Sequence, residues 1–265
     1  MECRSVYMKR FDEIILLANM AEKNTEPGGN ITAINALTRS GLVLLCGYFE
    51  GFVREMCKEF VDELNELEIA PSLVPIRMLS EHVVTCSDKV RNNKCQSFSD
   101  FIMNVERSLP IQFDSDKLSS TNANPTVDTI ERIFNVFDIP LVLDELSIND
   151  FDVSEMYNIE SQIGDSLRRT ILRAVDDDSV KGIDVINIIE SRWRPKKKRR
   201  RVGYLNIIDE LLKKRNRIAH GEGFDSVTPQ ELKEATRQIT KLCDGLISKL
   251  TAKLAEMTYQ TSSEY

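Results

Sequence analysis

Residues 32–67 contain no proline and follow the apolar spacing of an α-helix, and this segment constrains the fold more than any other feature of the sequence. Its middle, LVLLCGYFEGFV, is apolar almost all round, so we expect a central buried helix. Gly41, Gly47 and Gly51 each cost about 1 kcal/mol relative to alanine inside a helix. Small residues at helical spacing are typical of close helix crossings. The segment therefore predicts a helical protein packed around one long helix.

The rest of the chain supports an all-α fold, because glycine and proline are sparse and helix-type apolar spacing dominates. We predict one domain over residues 1–265, a helical bundle with additional helices. Residues 138–160 are acidic and irregular in pattern, and we interpret them as an insertion or surface region. The predicted helices cover residues 4–23, 32–67, 76–91, 97–107, 127–137, 203–220 and 229–257, with one or two more between 161 and 191.

Composition argues against several classes of protein. The longest apolar run, residues 42–46, is far shorter than the roughly 20 residues of a membrane span, and the charged N-terminal segment does not resemble a signal peptide. The six cysteines are scattered without a CxxC pair, and the chain has only two histidines. We therefore predict reduced thiols, a cytoplasmic location, no membrane association, no metal site and no cofactor.

The net charge of −7 conceals a strong asymmetry. Residues 192–217 hold twelve basic side chains against two acidic ones, so this segment is about +10 and the remainder about −17. Such a distribution favours a polyanionic partner, here RNA. The candidate nucleic-acid-binding residues are Arg192, Arg194, Lys196, Lys197, Lys198, Arg199, Arg200, Arg201, Lys213, Lys214 and Arg217.

The basic loop, residues 192–202, has several interpretations. It is an electrostatic guide for an RNA backbone, a solvated loop, or a run that resembles a nuclear localisation signal. Trp193 within it stacks on a base or packs at the end of the preceding helix. The acidic residues 138–160 form a solvated face, or they shield the basic loop and restrain activity.

The basic segment ends in RNRIAHG, where a catalytic constellation and an ordinary helix C-terminus are both consistent with the residues. Asn216 and His220 are four apart and share a helix face, so the asparagine amide is placed to hydrogen-bond the imidazole. Arg215 lies roughly 140° away around an ideal helix. Arg215 and His220 converge only if the last turn distorts or a second subunit completes the site.

These groups suit cleavage of an RNA phosphodiester, in which the ribose 2′-hydroxyl is the nucleophile. His220 would transfer protons, and a helix C-terminus stabilises its protonated form. Arg215 would bind the phosphate bidentately and stabilise charge on its oxygens, so the reaction requires no metal.

Three segments resemble the HEPN superfamily. RNRIAH matches the R-x4-H pattern in its RNxxxH form, and the glycine that follows fits a common variant. Residues 37–61 are similar to the long second helix of HEPN families from bacterial defence and toxin loci, where an acid precedes a Gly-Phe step, as Glu50 does here. Residues 122–140 resemble the middle segment of those nuclease-like families.

The resemblance implies a bundle of four or five helices that usually dimerises with its motif helices facing each other. Many members are metal-independent endoribonucleases, and others only bind RNA or act as scaffolds. By this resemblance Arg215 and His220 are catalytic, Asn216 is their polar companion, and Glu50 is a candidate neighbouring acid.

The main hypothesis is therefore a homodimeric endoribonuclease of a bacterial antiphage or toxin–antitoxin system. It would leave 2′,3′-cyclic phosphate and 5′-hydroxyl ends, with tRNA as a substrate suggested by the family and an antitoxin or defence-system protein as partner. One alternative is a non-catalytic HEPN module that binds RNA or a partner protein. A helical adaptor without nucleic-acid function also fits the acidic body, but it leaves the basic loop unexplained.

Overall fold

A computed structural model describes residues 1–91, 96–121, 124–151, 202–221 and 227–263 of the chain. Within these ranges the protein is all-α, with nine α-helices, one 3-10 turn and no strand. The helices are α1 (Cys3–Lys23), α2 (Ile31–Glu66), α3 (Ile76–Arg91), α4 (Gln96–Glu106), α5 (Ser115–Leu118), α6 (Val127–Val136), α7 (Val142–Asp150), α8 (Tyr204–His220) and α9 (Pro229–Ser263).

The chain divides into two compact units. The first comprises Met1–Leu143 and Ile207–Tyr265, and its centre is formed by α1, α2 and α9, which pack against one another. Phe49, Phe52, Met56 and Phe60 of α2 are at most 1% exposed and belong to its core. The hydrophobic effect of burying these large side chains holds the three helices together.

The helix α2 is less enclosed than its sequence predicts. Thirteen of its residues are buried, but Val43 and Leu44 are each 39% exposed. By length and composition alone α2 is apolar enough to span a bilayer, the one such helix in the described ranges. The predicted central helix is confirmed, although its N-terminal half leaves Val43 and Leu44 partly exposed.

The second unit comprises Asp144–Asn206, of which residues 144–151 and 202–206 are described. Here the fully buried Tyr204 donates its backbone N–H to Ser147 Oγ at 3.0 Å and its hydroxyl to Asp150. The Tyr204 ring meets Phe151 edge-on, with centroids 4.9 Å apart. Residues 142–150, which the acidic pattern did not identify as a helix, form α7.

Most predicted helix bounds agree with the structure to within one residue. The last helix is longer than predicted, since α9 continues to Ser263 rather than ending near Met257. The start of α9 has a capping box, in which Thr228 Oγ1 accepts from Glu231 N at 3.1 Å and Glu231 Oε2 accepts from Thr228 N at 2.8 Å. The described residues do not include 152–160 of the acidic segment, the helices predicted between 161 and 191, or 192–201 of the basic loop.

Candidate active site

The helix α8 carries the RNRIAH motif and is anchored by its N-terminal half. The apolar spacing of this helix predicts six inward positions, and four of them, Leu205, Ile208, Leu211 and Leu212, are buried. The other two lie in the last turn, where Ile218 is half-buried and Ala219 is exposed, so the prediction was wrong for Ala219. The motif therefore leaves the core at its C-terminal end, where its polar side chains are accessible.

The last turn of α8 is regular. The helix continues through His220, and Gly221 follows it with φ +66°, a left-handed conformation that ends helices and favours glycine. No distortion therefore brings Arg215 and His220 together, and they remain roughly 140° apart around the helix axis. His220 is exposed at the helix end, whereas Arg215 is half-buried.

The guanidinium of Arg215 is held by two side-chain amides. Its Nη1 donates to Asn216 Oδ1 at 2.9 Å, and its Nη2 donates to Asn124 Oδ1 at 2.8 Å. The amide of Asn216 thus accepts from Arg215, and no hydrogen bond joins it to His220 within the described residues. The expected pairing of Asn216 with the imidazole is replaced by a contact with the motif arginine.

The helix α2 passes beside this turn of α8. Cys46 Sγ lies 3.9 Å from the backbone oxygen of Leu211, one turn before Arg215. Burial raises the pKa of the Cys46 thiol to about 12, against the opposing effect of the nearby Arg215 charge. Cys46 is therefore a neutral packing group under the motif and not a nucleophile.

Glu50 follows Cys46 by one turn and is half-buried. Its Oε1 accepts from Thr121 Oγ1 at 3.3 Å, and Thr121 itself is 4% exposed. Thr121 and Asn124 belong to the same segment before α6, so one stretch of chain contacts both Glu50 and Arg215. Two predicted site residues therefore contact the same segment, Glu50 through Thr121 and Arg215 through Asn124. Within the described residues, no ion pair joins Glu50 to Arg215.

The predicted nucleic-acid-binding residues divide into two groups. Lys213, Lys214 and Arg217 lie on the surface of α8, next to the motif. Lys213 Nζ is 2.7 Å from Glu210, and Lys214 Nζ is 3.3 Å from Glu231. Exposed ion pairs of this kind contribute little to stability. The predicted binding residues from Arg192 to Arg201 lie outside the described residues.

Asn124 and Thr121 are the site residues that the sequence did not identify. Both lie within or next to residues 122–140, which resembled the middle segment of HEPN nuclease-like families. That resemblance was the only signal, because polar residues before a helix are ordinarily caps. Thr126 does have that role, since its Oγ1 accepts from Thr129 N at 3.1 Å.

Comparison with known proteins identifies a family for nearly the whole chain. Residues 7–252 match a family model described as RiboL-PSP-HEPN. The match includes the motif on α8, Glu50 on α2 and the segment before α6. No curated protein and no solved structure matches the chain significantly.

Proposed function

The chain belongs to the RiboL-PSP-HEPN family of the HEPN superfamily, whose domains typically cleave or bind RNA, and we propose that it is a metal-independent endoribonuclease. Its site is built on Arg215 and His220 of α8, with Asn216 beside them and Glu50 nearby on α2. The exposed lysines of α8 and the basic loop at residues 192–202 guide the RNA backbone to this site.

The reaction is an internal transesterification. The ribose 2′-hydroxyl oxygen bonds to the adjacent phosphorus and loses its proton, while the bond from phosphorus to the 5′ oxygen breaks. The leaving oxygen takes up a proton, so the products are a 2′,3′-cyclic phosphate and a 5′-hydroxyl, without consumption of water. His220 transfers a proton, and Arg215 stabilises the charge on the phosphate oxygens, as a positioned guanidinium does in other phosphoryl transfers.

The main observation behind this proposal is the set of hydrogen-bond partners of Arg215. Its guanidinium is oriented by two neutral amide oxygens, and no carboxylate pairs with it within the described residues. An arginine with a purely structural role commonly forms a bidentate ion pair with a carboxylate, which its planar guanidinium matches. An oriented arginine with its charge available is instead suited to an anionic ligand.

A second copy of the chain completes the site in this proposal. Arg215 and His220 of one regular helix point in directions roughly 140° apart, so a single phosphate between them is reached best by groups from two facing motif helices. We propose such a homodimer, located in the cytoplasm and belonging to a bacterial antiphage or toxin–antitoxin system. An antitoxin or defence-system protein then restrains it, and tRNA is the first substrate to test.

The test is cleavage of total tRNA and mRNA by purified protein in EDTA, followed by analysis of the end groups. The unsubstituted chain should cleave and leave cyclic phosphate, and His220→Ala should lose the activity. Arg215→Ala removes a charged hydrogen-bond donor to the transition state, so the kcat of this variant should be lower by a factor of about 10² or more. Arg237→Ala is the matched control, since that exposed arginine lies on α9 beside Glu234 and outside the site.

Each outcome has a distinct meaning. Cleavage that persists in His220→Ala, or that disappears with EDTA, would refute the proposed mechanism. RNA binding without cleavage, also in the presence of the neighbouring gene products, would identify the alternative, a non-catalytic module.

A further inference from the structure

Asn124 contacts Arg215 from a distant part of the sequence. The two residues are 91 apart, and Asn124 Oδ1 accepts from Arg215 Nη2 at 2.8 Å. We propose that Asn124 is a positioning residue, which aims the Arg215 guanidinium at a phosphate of the RNA while leaving its charge available. This inference rests on the proposed function and extends it to a residue outside the RNxxxH motif.

The group that accepts from Arg215 at this contact is a neutral amide oxygen, not a carboxylate. A carboxylate at this position would form a bidentate ion pair and cancel the charge that a phosphate requires. An amide oxygen gives direction without charge. A guanidinium has five N–H donors, and the two amides engage one each, so three remain for phosphate oxygens.

The backbone of Asn124 is held by hydrogen bonds through both its N–H and its C=O. Asn124 N donates to the Thr121 backbone oxygen at 3.4 Å. Thr126 N donates to the Asn124 backbone oxygen at 2.9 Å, and Thr126 also caps α6. The Asn124 side chain therefore projects from an anchored backbone, and a fixed acceptor reduces the conformational freedom that Arg215 loses when it binds a ligand.

Thr121, three residues before Asn124, contacts Glu50, which is the acid among the predicted site residues. Thr121 Oγ1 donates to Glu50 Oε1 at 3.3 Å. Thr121 therefore places a hydroxyl against the Glu50 carboxylate, and Asn124 places an amide oxygen against the Arg215 guanidinium. Within the described residues no ion pair joins Glu50 to Arg215, so each keeps its charge for other partners.

Two substitutions separate this role from a structural one. Asn124→Asp keeps an oxygen at the contact but adds a charge that pairs with Arg215. Asn124→Ala removes the acceptor and leaves the charge. Asn206→Asp is the matched control, since it adds the same negative charge to an exposed position of α8.

The measurements are cleavage in EDTA and the binding of a 2′-O-methylated single-stranded RNA, which resists cleavage, over a range of salt concentrations. Asn124→Asp should remain folded, lose at least tenfold in kcat, and show a salt slope of log Kd smaller by about 0.7, because one phosphate contact is lost. Asn124→Ala should also have a lower kcat, but its salt slope of log Kd should equal that of the unsubstituted chain. In an Arg215→Ala background neither substitution should lower kcat further, since both act through that arginine.

The results distinguish this inference from the proposed function. If the unsubstituted chain cleaves RNA and Asn124→Asp behaves as Asn206→Asp does, the positioning role is wrong and the nuclease remains. Additive losses in the Arg215→Ala background would also overturn it. If the unsubstituted chain neither cleaves nor binds RNA, the proposed function fails, and the role assigned to Asn124 fails with it.

Discussion

Three glycines in α2 provide a test in which one substitution should have different effects along the same helix. Alanine at Gly41, Gly47 or Gly51 gains about 1 kcal/mol of helix propensity in each case. The surroundings differ. An added Cβ at Gly47 has no atom within 4 Å, whereas at Gly41 it would lie 2.6 Å from Leu232 Cδ2 and at Gly51 2.5 Å from Tyr7 Oη.

The expected magnitudes follow from these distances. Gly47→Ala should raise the free energy of unfolding by about 1 kcal/mol, since nothing opposes the gain in propensity. Overpacking costs about 1–3 kcal/mol, so Gly41→Ala should range from neutral to a loss of about 2 kcal/mol. Gly51→Ala should be the most destabilising, because contacts restrict the movement of the Tyr7 ring: its centroid is 5.7 Å from that of Phe52 and 4.8 Å from the Arg10 guanidinium carbon.

The assay is urea denaturation of the three variants, monitored by helical circular dichroism. For a chain of this size 1 kcal/mol corresponds to about 2–4 °C in Tm, which gives an independent check. Two protein concentrations should be compared, since the proposed homodimer would make the free energy of unfolding depend on protein concentration. A loss of stability in Gly47→Ala, or a gain in all three variants, would refute the assignment of the crossings.

Two further predictions concern the surroundings of the motif helix. Thr228→Ala removes the side-chain half of the capping box of α9, because alanine has no oxygen to accept from Glu231 N. The free energy of unfolding should fall by about 1 kcal/mol in denaturant melts, and an unchanged melt would exclude a stabilising cap. The hydrogen bond from the Thr228 backbone, which alanine retains, lowers the pKa of Glu231 from its ordinary value. The stability that this carboxylate contributes should therefore be present above the ordinary glutamate pKa and should be lost as the pH falls through the lower folded pKa. Burial raises the pKa of Cys46 to about 12, so iodoacetamide at pH 8 should label Cys46 in urea but not in the native protein, as peptide mass mapping can determine. Labelling in the native state would show that the packing of α2 against α8 is not as described.

The helices were predictable because the signals that begin and end them are local. Residues 76–91 were predicted as a helix, and α3 spans Ile76–Arg91. The motif helix was predicted to end at His220, and Gly221 adopts the left-handed conformation that such an end requires. Residues 142–150 were missed because their acidic side chains conceal the apolar positions Val142, Leu143 and Leu146, which are buried.

The sequence did not predict which residues contact one another across the fold, because these contacts depend on which helices pack together. Gly41, Gly47 and Gly51 at helical spacing suggested close helix crossing along α2. Two of these glycines do face a neighbouring helix closely, and Gly47 faces open space. Similarly, the apolar sequence of α2 did not indicate which side would remain uncovered at Val43 and Leu44.

The sequence by itself determined the all-α class, the family and the positions of Arg215, Asn216 and His220, since composition, periodicity and a short motif are properties of the chain. Only the tertiary structure decided which groups surround the arginine. Asn124 and Arg215 are 91 residues apart, and hydrogen-bond partners at such a separation are selected by folding rather than by local pattern. The motif supplies the positive charge of Arg215, and the packing of α2, α8 and the segment before α6 determines the direction in which its guanidinium points.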